Sequence, residues 1–156
     1  MINTNDNPDI VIWDEKYATG IPLVDSQHKE LFSLTNELFH ACLDEDESFR
    51  EVVFKETMER MVDYVRFHFS AEQEMLQRIN YPGYQEHKKM HETLIKDILD
   101  SVKEYNYGKK FVPNQFVRIL RDWILSHIAL TDKQYVIYIA DQKSKGLLSD
   151  KEINGL

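Results

Sequence analysis

Apolar side chains recur along this chain at steps of three and four, the period of one face of an α-helix. The stripe Val24, His28, Leu31, Thr35, Leu38, Cys42 predicts a first helix over 23–44, which the acidic run Asp44-Glu45-Asp46-Glu47 interrupts. Ser48 and Glu51 have the spacing of a capping box and predict the start of a second helix, 48–79. Its stripe is Phe54, Met58, Met61, Val65, His68, Glu72, Met75, Ile79. Asn80-Tyr81-Pro82-Gly83 reads as a turn. A third helix, 84–107, turns Tyr84, His87, His91, Leu94, Ile98, Val102 and Tyr105 inward and stops before Gly108, a suitable C′ residue. Pro113 suits the first turn of a fourth helix, which runs to about 141 with Phe116, Leu120, Trp123, His127 and Leu130 inward. Val136–Ile139 is β-branched enough for a strand, but no second run exists for it to pair with. The expected fold is all-α, an up-down-up-down antiparallel four-helix bundle. Residues 1–22, with Asn3, Asn5, Asn7, Pro8 and an apolar patch Ile10–Trp13, form an N-terminal arm; 23–142 form the bundle; 143–156 form a polar tail, frayed or loosely docked.

Composition narrows the function classes. At 156 residues the chain is one domain able to bury a core. Its net charge of −8 gives no electrostatic reason to seek a polyanion, so nucleic acid is not an expected partner. A single cysteine excludes an internal disulfide and a cysteine-rich metal site. Cys42 is expected to be a small packing residue, since nothing basic beside it in sequence would activate the thiol. No apolar run is long enough to span a membrane and no secretory leader is visible, so a cytoplasmic protein is expected.

The histidines change the picture. Five of the six, His28, His68, His87, His91 and His127, fall on the apolar stripes, and Glu72 joins them. Burying a lone carboxylate costs several kcal/mol unless it is neutralised or paired. One small interior holding these groups therefore needs a shared partner, and a metal centre supplies one. Residues four apart share a helix face, so His68-x3-Glu72 and His87-x3-His91 can each aim two donors at one point. By composition roughly one His-x3-carboxylate is expected in such a chain, and His40 with Asp44 repeats the spacing as a decoy. The signal lies in the combination, with donors from all four helices on the inner stripe. Asp132 is the awkward candidate. Five residues past His127, it lies about 140° round a regular helix and faces solvent unless a π-bulge or bend intervenes.

Imidazole with carboxylate suits iron, zinc, manganese or copper. Seven ligands exceed one tetrahedral zinc and suit two ions. His87, His91 and His127 would hold one, His28 and His68 the other, with Glu72 and Asp132 bridging and one position open. A zincin is excluded because Lys88 stands where its catalytic glutamate would be. A ferritin-like site needs two Glu-x-x-His motifs, and only Glu37-x-x-His40 is present.

The segment Val24-Asp25-Ser26-Gln27-His28-Lys29-Glu30-Leu31, with His68-x3-Glu72, His87-x3-His91 and His127-x4-Asp132, resembles the hemerythrins, in particular single-domain bacterial ones. Trp13 through Gly20-Ile21-Pro22 adds to the likeness, which spans roughly 11–138. The resemblance implies that Asp132 is a bridging ligand after all. It implies two iron ions with a bridging oxo or hydroxo group and reversible O2 binding at the ion held by His28 and His68. Leu31, Phe69, Trp123, Ile124 and Ile128 would line a dry O2 pocket, or simply pack in the core; Tyr135 would line the same region or simply pack. His40 is expected on the flank of the bundle, outside the ligand set. The favoured function is that of an oxygen carrier, store or supplier rather than an enzyme. It would bind O2 or small anions, act as a monomer and could serve an oxygen-consuming enzyme. The alternatives are a di-iron redox enzyme (peroxidase, NO handling or iron and oxygen detoxification) and an O2 or iron sensor, for which the chain leaves no room for a signalling domain.

Overall fold

Asp46, not Ser48, opens the long second helix. Its Oδ1 accepts the backbone N–H of Phe49 at 3.1 Å, while Asp44 accepts the N–H of Asp46 and takes Arg50 onto its carbonyl. The acidic run is thus the cap itself, placing negative charge at the positive end of the helix. In this computed structural model, which describes residues 8–108 and 113–155, the helices are α1 (Pro22–Cys42), α2 (Glu47–Arg78), α3 (Tyr84–Asn106) and α4 (Pro113–Ser126), followed by a π-turn (His127–Thr131), α5 (Asp132–Ser144) and a short α6 (Asp150–Asn154). The part of the expected arm that contains Asn3, Asn5 and Asn7, the connection 109–112 and Leu156 lie outside the described residues. Among the described residues there is no strand, and Val136–Ile139 lies within α5.

Each helix stops for a local reason. At the end of α2, Asn80 takes a left-handed φ of 54°. Tyr81 N–H then reaches the carbonyl of Leu76 at 2.9 Å, and Asn80 N–H that of Gln77 at 3.0 Å. That pair of bonds is a Schellman closure with asparagine in place of glycine. Gly108 takes φ +67° after α3, as its position predicts.

α1 packs on α2 and α4, and α2 packs on α3. The main core, including Leu34, Leu38, Phe54, Met58, Met61, Val117 and Leu120, fills the bundle toward one end. A second apolar cluster of Ile21, Val24, Met75, Leu76, Ile79, Tyr135, Ile139 and Ile153 fills the other. On α1, His28 falls between Val24 of the second cluster and Leu31 of the main core, and on α2 His68 and Glu72 fall where the main core gives way to the second cluster at Met75. Side chains stitch down the segment before α1, Lys133 on the carbonyl of Ala18 and His40 on Asp9 among them. Asn36 accepts the N–H groups of Ile10 and Val11, each at 3.0 Å, and donates to Val11 O. Asp25 accepts from Thr19 N, Thr19 Oγ1 and Gly20 N.

Cys42 is half-buried against the main core, and burial pushes its thiol up to about 11 despite nearby Arg50. It is a packing residue, although a basic group does stand closer than the sequence spacing suggests. The expected polar tail is also more ordered than a frayed end: α6 is a capped helix with Ile153 buried.

Candidate metal centre

All seven of the expected ligands are buried, none more than 5% exposed, and they meet in one place. His87 and His91 stand one turn apart on α3, while His127 opens the π-turn at the end of α4. The Nε2 atoms of His91 and His127 lie 3.0 Å apart, and those of His127 and His87 lie 3.3 Å apart. Two donors each about 2.1 Å from one ion, at right angles, would be about 3.0 Å apart. Glu72 Oε2 adds a fourth donor at 3.0 Å from His87 and 3.1 Å from His91. A second set is formed by His28, His68 and Glu72. Glu72 turns Oε1 toward His28 Nε2 and Oε2 toward His68 Nε2, each at 4.0 Å.

Asp132 reaches this centre because the backbone widens. Its N–H bonds to the carbonyl of His127, five residues back, so one turn consumes five residues instead of four. The result is visible in its two oxygens. Oδ1 lies 3.0 Å from His127 Nε2 and 3.3 Å from His87 Nε2, whereas Oδ2 lies 3.2 Å from His28 Nε2. The carboxylate therefore spans both histidine groups. The same shift of phase corrects Leu130, which the regular stripe turns inward: it is 69% exposed.

Tyr135, buried one turn further on, donates its hydroxyl to Glu72 Oε1 at 2.6 Å. Burial and the carboxylates of Glu72 and Asp132 hold its pKa well above the ordinary value, so the phenol stays protonated and stays a donor. Gln27 and Gln73 take part as well, which the stripes do not predict. Gln27 Oε1 lies 2.7 Å from His68 Nδ1, which can donate to it and so leaves Nε2 free to face the centre. Gln73 places its side-chain amide 3.0 Å from His91 Nδ1. Each glutamine stands one position beside a ligand, and nothing in a single sequence separates such a helper from an ordinary flanking residue.

Two aromatic rings press on the ligands. Phe69 stacks on His91 with ring centroids 3.6 Å apart, and Trp123 stacks on His127 at 4.4 Å. Trp123 is half-buried and also lines a groove of about 200 Å³ between α3 and α4. Leu31, Ile124 and Ile128 are fully buried in the main core. His40 stays apart, paired with Asp9 at 2.7 Å and partly exposed.

The electrostatics are those of a cation site. Burial opposes charge on Glu72, yet hydrogen bonds from His87 and His91 hold its pKa well below the usual carboxylate value. Burial likewise opposes charge on Asp132, and the neighbouring His127 and His28 bring its pKa down. Burial pushes His68 down to about 4 and lowers His91 as well, which keeps both imidazoles neutral with a lone pair to share. His28 and His87 are lowered by burial but raised more by Asp132 and Glu72. Both ring nitrogens of His28 and both oxygens of Asp132 are buried without a hydrogen bond. The 3.2 Å approach of His28 Nε2 to Asp132 Oδ2 is an ion-pair distance, but the atoms are not aligned to share a proton. Orphaned polar atoms of this kind each cost about 1–3 kcal/mol when nothing meets them. Cations between the histidines and this carboxylate would satisfy Nε2 of His28 and both oxygens of Asp132, so the residues fit a metal.

The model of the hemerythrin HHE cation binding domain matches residues 19–138. The chain belongs to the hemerythrin family. It is similar to the bacteriohemerythrin of Methylococcus capsulatus, 29% identical over 120 residues that cover 77% of this chain and 88% of that one. The bacteriohemerythrin of Pseudomonas aeruginosa strain UCBPP-PA14 is 28% identical over 145 residues, 93% of this chain and 91% of that one. Among solved structures, a wild-type hemerythrin superposes with a TM-score of 0.76 at 26% identity, covering 82% of this chain and 96% of that one. A hemerythrin point mutant superposes with a TM-score of 0.77 at the same 26% identity, covering 83% of this chain and 97% of that one. Hemerythrin architecture thus accounts for the placement of the bundle, while α6 lies beyond the matched domain.

Proposed function

We propose that this protein binds O2 reversibly at a non-haem di-iron centre. The centre would be held by His87, His91 and His127 on one side, His28 and His68 on the other, with Glu72 and Asp132 bridging. The observation that carries this reading is the carboxylate of Asp132, one oxygen facing His127 and His87 and the other facing His28. A monodentate or bidentate ligand to a single ion has no use for that split. When bound, the iron pair would supply the electrons on which reversible O2 binding depends, together with a bridging oxo or hydroxo group.

The protein's part is binding, orientation and exclusion of water. Gln27 fixes the tautomer of His68, and Tyr135 holds the Glu72 carboxylate in its bridging pose. The side with only two histidines leaves room for an exogenous molecule. Leu31, Phe69, Trp123, Ile124 and Ile128 would keep that room dry, which slows the entry of water and anions and hence irreversible oxidation. The helices would run up-down-up-down, with 1–22 as an arm, 23–142 as the bundle and 143–156 as an appended tail. As a carrier, store or supplier in the cytoplasm, acting as a monomer, the protein would release O2 to an oxygen-consuming enzyme.

Optical titration of the anaerobic, ferrous-loaded protein with O2, followed by argon purging, tests the reading. A visible band that grows with O2 and fades to the colourless ferrous spectrum on purging is the expected result. Absence of the band, or one-way decay to the ferric spectrum with peroxide released, refutes reversible binding and points to redox chemistry.

A further inference from the structure

Behind α6 lies a cavity of about 40 Å³ at the end of the groove between α1 and α2. Val24 and Gln27 form one wall and Glu72 and Met75 the other, while Ile153 of α6 covers it, with the exposed Leu23, Arg78 and Asn154 at its rim. The inner end is therefore Glu72, a member of both donor sets, with Gln27, the partner of His68, beside it. Water needs roughly 10–15 Å³ of such space. The chamber has room for one or two molecules of that size and none for an aromatic ligand. Most of its lining is apolar, which suits a small neutral molecule over an ion.

α6 is held over this chamber by Ile153, packed in the second apolar cluster, by the Lys143–Asp150 ion pair at 2.6 Å, and by two polar devices at its ends. Ser149 and Glu152 cap it in a reciprocal box. The Arg78 guanidinium, at the end of α2, donates from Nε to Glu152 O at 2.7 Å and from Nη2 to Ile153 O at 2.9 Å, binding the last carbonyls of the short helix. Gly155 completes the arrangement. It takes φ +73°, a conformation that favours glycine, and a Cβ there would crowd the Arg78 guanidinium at 3.1 Å from Cζ. On the other flank of α6 a surface cleft of about 660 Å³ separates it from α5 and residues 19–22. Gly146, at φ +70°, links α5 to the segment that leads into α6. Thus α6 has the Arg78 clamp on one side, a cleft lined by the Lys143–Asp150 ion pair (2.6 Å) on the other, and a left-handed glycine at its base.

We propose that the chamber behind Ile153 is a side entrance to the metal centre for neutral molecules the size of dioxygen or hydrogen peroxide, with Ile153 as its plug and Arg78 as the latch that seats it. Opening α6 into the adjacent cleft joins the chamber to solvent at Glu72. Closing it restores the dry wall. The consequence for O2 rests on the function proposed above: variants that leave α6 open would load O2 faster and autoxidise faster.

Met75 is a built-in reporter, because it lines the chamber and is 4% exposed. The test is oxidation of the full-length, zinc-loaded protein by dilute hydrogen peroxide, with each methionine sulfoxide located by peptide mass spectrometry. Zinc is redox-silent, so the result does not depend on iron chemistry or on O2 binding. In the native protein, Met90, 45% exposed, should oxidise at least tenfold faster than Met75. In Ile153→Ala and in Arg78→Ala, Met75 should accelerate at least tenfold, while Met58 and Met61 in the main core stay protected. Unchanged Met75 rates in both variants overturn the proposal. So does acceleration of Met58 and Met61 in step with Met75, because that makes α6 a general stabiliser and not a seal.

Discussion

Replacing Tyr135 by phenylalanine removes one oxygen and nothing else of shape. That oxygen donates to Glu72 Oε1 at 2.6 Å, inside a region where both residues are fully buried. A hydrogen bond to a charged acceptor contributes about 1.5–3 kcal/mol, and the acceptor left behind carries a further desolvation cost. For a domain of this length each kcal/mol moves the midpoint by roughly 2–4 °C, so Tyr135→Phe should melt about 3–12 °C below the native protein. Because Glu72 serves both donor sets, metal affinity should fall as well, by the roughly 10–100-fold that outer hydrogen-bond partners of metal ligands contribute. Scanning calorimetry and competition with a chromophoric chelator read the two effects separately. Tyr138→Phe is the control, since its hydroxyl donates to the neutral carbonyls of Ile79 and Asn80 at 3.1 Å and lies away from the centre. Equal melting points and equal metal affinities for Tyr135→Phe and Tyr138→Phe would refute the claim that Tyr135 braces the bridging carboxylate.

Three further outcomes follow from the same geometry. If the proposed di-iron centre forms, His87→Ala removes one of three imidazoles that would face one ion, so iron content should drop from two per chain toward one; two retained irons, by elemental analysis, would exclude His87 as a ligand. Trp123→Ala strips the ring stacked on His127 at 4.4 Å and opens the groove between α3 and α4; iron should stay bound while the O2 adduct autoxidises faster, and an unchanged rate would reduce Trp123 to packing. His68 gives a pH dependence: burial pushes it down to about 4 in the folded chain, against 6.5 for the free side chain. Between those values the unfolded chain binds a proton that the folded chain does not, so this contribution is absent above pH 6.5 and destabilises progressively down to pH 4. The metal-free stability of native protein relative to His68→Gln should therefore fall by on the order of 3 kcal/mol across that window in urea titrations, and a flat difference would contradict the burial argument.

How far the sequence carries depends on whether a regular helix continues. The stripes of α1, α2 and α3 keep their period, so His28, His68, Glu72, His87 and His91 emerge at the interior that spacing predicts. Capping is less legible, because Asp46 and Ser48 both offer a side-chain oxygen two residues apart. Backbone entry decides between them, and the structure chooses Asp46. How the tail docks is hidden from the sequence for a related reason. It carries few apolar residues, yet one, Ile153, is enough when Arg78, seventy-five positions earlier, supplies the clamp. No local pattern encodes that pairing.

Asp132 shows where local rules and chemistry part. A regular helix after His127 would bury Leu130 and expose Asp132, which is the cheaper choice for an apolar interior by every local measure. The chain does the reverse through a π-turn, leaving Leu130 in solvent and two buried carboxylate oxygens without a hydrogen bond. Such an inversion loses apolar burial and adds desolvation, so in the metal-free chain it is a net cost of several kcal/mol. Binding free energy from an ion that contacts the folded state alone can offset a cost of that size. The metal therefore stands as part of the folding argument for the last third of the bundle, and its removal should loosen His127–Thr131 before it loosens α1 or α2. Hydrogen exchange of the metal-free and metal-loaded protein would locate the difference; equal protection at the amide of Asp132 in both would mean that the π-turn is held by packing alone.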